Sequence, residues 1–200
     1  MRSTTPLLVT MAVATLLLSG CSQKNAGQPT PETGATETSQ TTPAATSTSS
    51  PESGFTVSKF ASDPCSLLKA DQTASLGTFK APEKSESAAG KRCTWTAQDV
   101  TKGITYSVVV GTSGSTFADI AESSKGVKVY RQTTVDKFPA VSSDSTTGQG
   151  NCTTAVGAAP SSKEVFLVQI STLKQGTPEY NDSCGATEKV AALVVQNLKG

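Results

Sequence analysis

Between Ser22 and Ser53 the chain carries 14 serines and threonines, four prolines (Pro29, Pro31, Pro43, Pro51) and no other apolar side chain but alanine. Such a stretch cannot bury enough surface to offset the entropy of ordering its backbone, so it is expected to stay disordered. As a flexible coil it would span roughly 30 Å root-mean-square, and its hydroxyls could carry sugars. Large apolar residues resume at Phe55, Val57 and Phe60. Whatever folds must therefore lie in residues 55–200, long enough for one core and not for two.

Residues 1–20 read as an export signal. Arg2 supplies a positive start, and Pro6 to Leu18 is mostly apolar. That run of about 13 residues falls short of the roughly 20 needed to cross a hydrocarbon layer. Leu18-Ser19-Gly20-Cys21 resembles the bacterial lipobox, an apolar residue and two small ones ahead of a cysteine. By that resemblance the Cys21 sulfur receives a diacylglycerol and a signal peptidase cuts before it. Two or three acyl chains anchor a protein stably where one does not. The mature chain is then expected on the cell membrane, facing the extracytoplasmic side and the wall, with residues 21–54 as its tether. The competing reading is a secretory signal with a chance cysteine.

With Cys21 set aside, Cys65, Cys93, Cys152 and Cys184 remain. An even number in an oxidising compartment implies two disulfides, for which three pairings exist. The sequence-local pairing, Cys65–Cys93 with Cys152–Cys184, is the simplest, each closure contributing roughly 3–4 kcal/mol in the chain-entropy model. A metal site would need four isolated thiolates, since there is no C-x-x-C and no histidine. The absent imidazole also excludes Ser-His-Asp and Cys-His catalysis, and with it the commonest catalytic zinc ligand. No metal or cofactor is expected. Lys+Arg is 17 and Asp+Glu 16, and removing residues 1–20 takes away Arg2 and no acid. A near-neutral chain lacks the basic face that nucleic acid or anionic lipid would require.

Within 55–200, Asp63-Pro64 reads as a helix start, continuing through Leu67, Leu68 and Ala74 to Leu76, where Gly77 can close it. A polar loop over 78–90 follows. Cys93–Ala97 and Ile104–Val110 alternate as a hairpin of half-buried strands. Ser115 is placed to cap a short helix with Phe117, Ile120 and Ala121 on one face. Val127, Val129 and Val135 suggest a third strand, Lys137–Val141 a turn into loop, and Cys152, Thr154 and Val156 a fourth strand. Val165–Ile170 is the most apolar run and is expected at the centre. Asp182 or Ser183 then caps a last helix carrying Val190, Leu193, Val194, Asn197 and Leu198. The expectation is an α+β domain, an antiparallel sheet of about five strands with helices at the start, middle and C-terminal end.

Catalytic signatures are sparse. Ser66-Leu67-Leu68-Lys69 and Ser171-Thr172-Leu173-Lys174 both match S-x-x-K, but no S-D-N or K-T-G accompanies them. Two matches in a serine-rich chain mark coincidence, with Ser66 and Lys69 exposed on the first helix. The carboxylates are scattered singly. Trp95 is the only tryptophan; beside a disulfide cysteine in a strand it reads as core rather than ligand lining. Lys91 and Arg92 read as a solvated strand end.

The block Asp63-Pro64-Cys65-Ser66-Leu67-Leu68, then Leu76-Gly77, Cys93-Thr94-Trp95 and Cys184 near the start of a C-terminal helix resembles the actinobacterial lipoproteins grouped as domain of unknown function 3558. The lipobox and Thr/Pro-rich spacer match that layout too. The resemblance implies a cell-envelope location and two disulfides, and no reaction. The arrangement is also similar, at fold level only, to extracellular sensor domains of mycobacterial receptor kinases, which carries no function. The chain is therefore expected to be a non-enzymatic ligand-binding, sensing or protein-interaction module, meeting an envelope protein, a glycan or a small molecule. The alternatives are a wall hydrolase working through carboxylates alone and a structural partner in an envelope complex. Two carboxylates about 5–10 Å apart with a raised pKa would favour the hydrolase. An apolar cleft would favour a small ligand, and a flat apolar patch a protein.

Overall fold

The computed structural model describes residues 54–111, 113–172 and 174–200. The expected signal segment (1–20), lipidation at Cys21 and the tether up to Ser53 lie outside the described residues.

Seven strands make one antiparallel sheet: β1 (Glu83–Ser87), β2 (Gly90–Trp95), β3 (Ile104–Gly111), β4 (Val129–Val135), β5 (Phe138–Asp144), β6 (Asn151–Gly157) and β7 (Val165–Thr172). Their order across the sheet is β1-β2-β3-β7-β6-β5-β4, so the most apolar strand is indeed the middle one. Among the described residues four α-helices accompany them: α1 (Ala70–Leu76), α2 (Phe117–Ser123), α3 (Pro178–Asn181) and α4 (Ser183–Lys199).

The count is seven strands, not five, and both additions have a physical reason. The sequence Glu-Lys-Ser-Glu-Ser of β1 has no apolar alternation because it is an exposed edge, and charged side chains protect such an edge from further pairing. In β5, Pro139 argues against a strand, but it lies outside the stretch Ala140–Ser143 that pairs with β6, so its missing N–H is tolerated there. The turn falls one residue earlier than expected. Asp136 and Lys137 both take positive φ (48° and 75°) and join the paired Val135 and Phe138 as a two-residue hairpin.

The first helix is broken. Pro64–Leu67 forms a 3₁₀ turn, Leu68 is extended, and α1 begins only after Lys69, whose N–H donates to Gln72 Oε1 at 2.9 Å. Asp63 does not cap it; its carboxylate pairs with Lys84 at 3.0 Å. For α2 the cap is Thr116 rather than Ser115, with Thr116 and Asp119 side chains each accepting from the other's backbone N–H. Asp182 caps α4, accepting from the Gly185 N–H at 2.9 Å.

One face of the sheet holds the main core. Trp95, Val108, Val110, Phe166, Val168, Ile170 and Val156 meet Val190, Ala191, Val194, Val195 and Leu198 of α4. A 17-residue helix and an eight-residue strand are both about 26 Å long, so α4 runs the full height of the sheet. Cys152–Cys184 ties β6 to α4, and Cys65–Cys93 ties the 3₁₀ turn to β2. On the opposite face α2 covers only one half, seating Phe117 and Ala121 on Val141, Ala155 and Val165. A Cβ on Gly157 would stand 2.5 Å from Phe117 Cβ, so that glycine is what lets α2 approach β6. No helix of the described residues lies over the other half of this face, with Thr94, Thr105, Ser107, Thr153, Gln169 and Ser171.

Candidate functional site

The two ends of the sheet differ. At the end where β6 turns into β7, the chain enters the fold. Phe55 packs on Phe138 and Phe166 with ring centroids 4.8 and 5.5 Å away, and Val57 is fully buried. The Glu164 carboxylate accepts from the Val57 N–H (2.6 Å), the Ser58 N–H (2.8 Å) and the Ser58 hydroxyl (2.7 Å).

At the other end, where β7 finishes beside the starts of β3 and β6, three hollows open. One of about 390 Å³ lies on the uncovered sheet face, among Thr105, Ser107, Asn151, Thr153, Gln169 and the loop carboxylate Asp144. Two more, of about 330 and 160 Å³, lie on the helix-covered side and share Leu76 and Glu179. The larger is walled by Phe79 and Ile104 with Lys102 and Lys174 at its rim. The smaller is lined by Tyr106, Pro178 and Ala186. A further hollow of about 340 Å³ runs along edge strand β1, near Lys84, Glu86 and Lys91.

Three titratable groups at this end, Asp144, Asp99 and Tyr106, depart from their ordinary values. Burial pulls the Asp144 carboxyl up, but hydrogen bonds from the Thr146 hydroxyl and the N–H groups of Gly148, Thr146 and Thr147 outweigh it and hold the group below its ordinary value. Asp99 is lowered by Thr101, whose hydroxyl and N–H both donate to it. These shifts run opposite to what a general acid needs. Burial, reinforced by the charge of Glu179, pushes the Tyr106 phenol up to about 12, so it stays protonated and a donor across the physiological range.

A family model described as "Protein of unknown function (DUF3558)" matches residues 16–197. The chain belongs to this family. No curated protein and no solved structure matches it.

In this DUF3558 chain the sequence-singled residues separate into structural ones and bystanders. The four cysteines are disulfide-bonded, and Trp95 is core at 4 % exposure. Ser66 donates to the Asp63 carbonyl within its own turn, and Ser171 stands exposed on the sheet, so neither S-x-x-K match forms a nucleophile site. Arg92 is not a solvated strand end: it is half-buried with its Nε sealed and unpartnered among the described residues. Lys91 pairs with Glu86 at 2.7 Å. Among the described residues no group of three or more Cys, Asp or Glu side chains is placed to hold a metal, and no helix is long and apolar enough to cross a membrane. Val100 is the one large apolar side chain exposed among them, so they present no flat apolar patch. Sequence reasoning missed Phe79, Tyr106, Glu164 and Glu179. Of these only Tyr106 carried a signal, as an inward position of an alternating strand.

Proposed function

We propose that the chain is a lipid-anchored, non-enzymatic binding module of the cell envelope, whose recognition end is the end of the sheet opposite its point of entry. One observation carries this reading: the Glu164 clamp receives the chain at one end of β7, and three hollows open about 26 Å away at the other. A tether leaving from Gly54 would hold those hollows away from the membrane. Supporting it are the lipobox at Cys21, the Ser/Thr/Pro-rich spacer and the downward-shifted carboxyls.

The test places a photo-crosslinking side chain at Ser145 or Lys174, beside the hollows, and at Ala159, in the β6–β7 turn. In intact envelope the first two should capture envelope material and the third should not. Capture from Ala159 alone would sink the reading. Intact mass of the mature protein should show loss of residues 1–20 and diacylglycerol on Cys21.

A further inference from the structure

Among the described residues the hydroxyls of Tyr130 and Tyr106 lack a hydrogen-bond partner: that of Tyr130 is sealed from solvent and faces no hollow, whereas Tyr106 lines one. Ser142, Thr154, Thr172, Ser183 and Thr187 are each at most 3 % exposed, and each has a hydrogen-bond partner. Tyr106 is also 3 % exposed, yet its hydroxyl bonds to no described residue. Its backbone is flanked by β2 and β7, so only its ring reaches the smaller hollow. The hydroxyl is not among the atoms sealed from solvent without a partner, which places it at the opening. A phenol that lines a hollow and spends its hydrogen bond on no described protein group is free to donate to whatever occupies that hollow.

The geometry points to the smaller hollow over Tyr106 and the larger one that shares Leu76 and Glu179 with it being one cleft, which takes a small molecule with an apolar or aromatic body and a carbonyl or hydroxyl oxygen at one end. The oxygen would accept from Tyr106. The body would lie in the larger hollow against Leu76, Phe79 and Ile104, all half-buried side chains with apolar surface still open. Phe79 meets Tyr106 edge-on, with centroids 6.1 Å apart at 70°, so a ring entering there extends an aromatic arrangement already present. At about 330 Å³ the larger hollow is at the small end of ligand pockets, which run roughly 300–1,000 Å³. In the hollow on the open sheet face Thr105, Ser107 and Asp144 are already hydrogen-bonded within the protein. This assignment rests on the recognition end argued above and names its ligand class.

The probes are acetophenone, with an aromatic body and one carbonyl, and ethylbenzene, which lacks the acceptor. Binding to the full chain is followed by NMR. Acetophenone should bind about 5-fold tighter than ethylbenzene, the worth of one neutral hydrogen bond, and shift the Phe79 and Tyr106 ring signals. Tyr106→Phe should bring the ratio to about one while leaving the melting temperature unchanged or raised, because no protein partner is lost. A ratio unmoved in Tyr106→Phe, shifts centred on Gln169 and Ser171, or no binding of either probe would each overturn the cleft. Those outcomes leave the envelope crosslinking from Ser145 untouched, so the two readings fail separately.

Discussion

Asn197, near the end of α4, donates its side-chain amide to the carbonyl of Leu67 at 3.0 Å, across 130 residues of chain. The same amide nitrogen lies 2.6 Å from Gln72 Oε1, whose oxygen also accepts the Lys69 N–H that opens α1. One side chain thus satisfies the break between the 3₁₀ turn and the helix. Asn197→Ala should destabilise the domain by about 1–3 kcal/mol in urea unfolding, since it leaves a buried carbonyl unpaired. Hydrogen exchange should rise first over residues 64–76.

A chain of hydroxyls joins the sheet to α4 beside the second disulfide. Ser142 Oγ lies 2.8 Å from Thr154 Oγ1, which lies 2.6 Å from Thr187 Oγ1. Ser142 also donates to Glu188 Oε1 at 2.6 Å, and the Arg131 guanidinium holds the same oxygen. Thr154→Val keeps the volume and removes the middle link. It should cost about 1–3 kcal/mol by denaturation, more than Arg131→Ala, which removes only a surface ion pair.

The two disulfides close loops of similar length, with separations of 28 and 32 residues. Replacing either pair by serines should therefore cost about 3–4 kcal/mol, with little to choose between them. Non-reducing peptide mapping should recover Cys65 with Cys93 and Cys152 with Cys184; a Cys65–Cys152 peptide would refute this pairing.

Stability should fall at high pH. The Tyr106 phenol ionises at about 12 in the fold, against about 10 when unfolded. Its contribution is therefore fully present below pH 10 and is lost as pH rises toward 12, by an amount of order 2 kcal/mol. Tyr106→Phe should flatten that limb of the unfolding profile. At the acid end the sign reverses: Asp144 is held low, so its contribution is present above its unfolded value and lost as pH falls through the folded one.

Lys137 sits at φ 75°, where a side chain is strained and glycine is not. Lys137→Gly should raise stability by about 0.5–1 kcal/mol in thermal unfolding, as fits the second position of a type I′ hairpin.

Strands with an apolar beat were legible from residue order: Cys93-Thr94-Trp95, Ile104–Val110 and Val165–Ile170 each announce one buried face. Glu83–Ser87 announces nothing, because an edge strand that must repel further pairing is written in charges. Pro139 misleads because its tolerance depends on how far β6 extends alongside it, a tertiary fact. Asn197 fell on the apolar stripe of α4 by spacing, and its polarity makes sense only once Leu67 is seen beneath it. The same holds for Tyr106. Its inward position was readable, but its lack of a partner depends on where α1, α3 and α4 come to rest.

The Glu164 clamp has a mechanical consequence. Any pull on the chain ahead of Gly54 is delivered to three hydrogen bonds on one carboxylate and to the Phe55 ring wedged behind them. That load enters at the turn between the two most enclosed strands, not at the fringe strands β1 or β4, where a sheet unzips one bond at a time. A domain pulled from that point would bear the load as a unit before it begins to unravel.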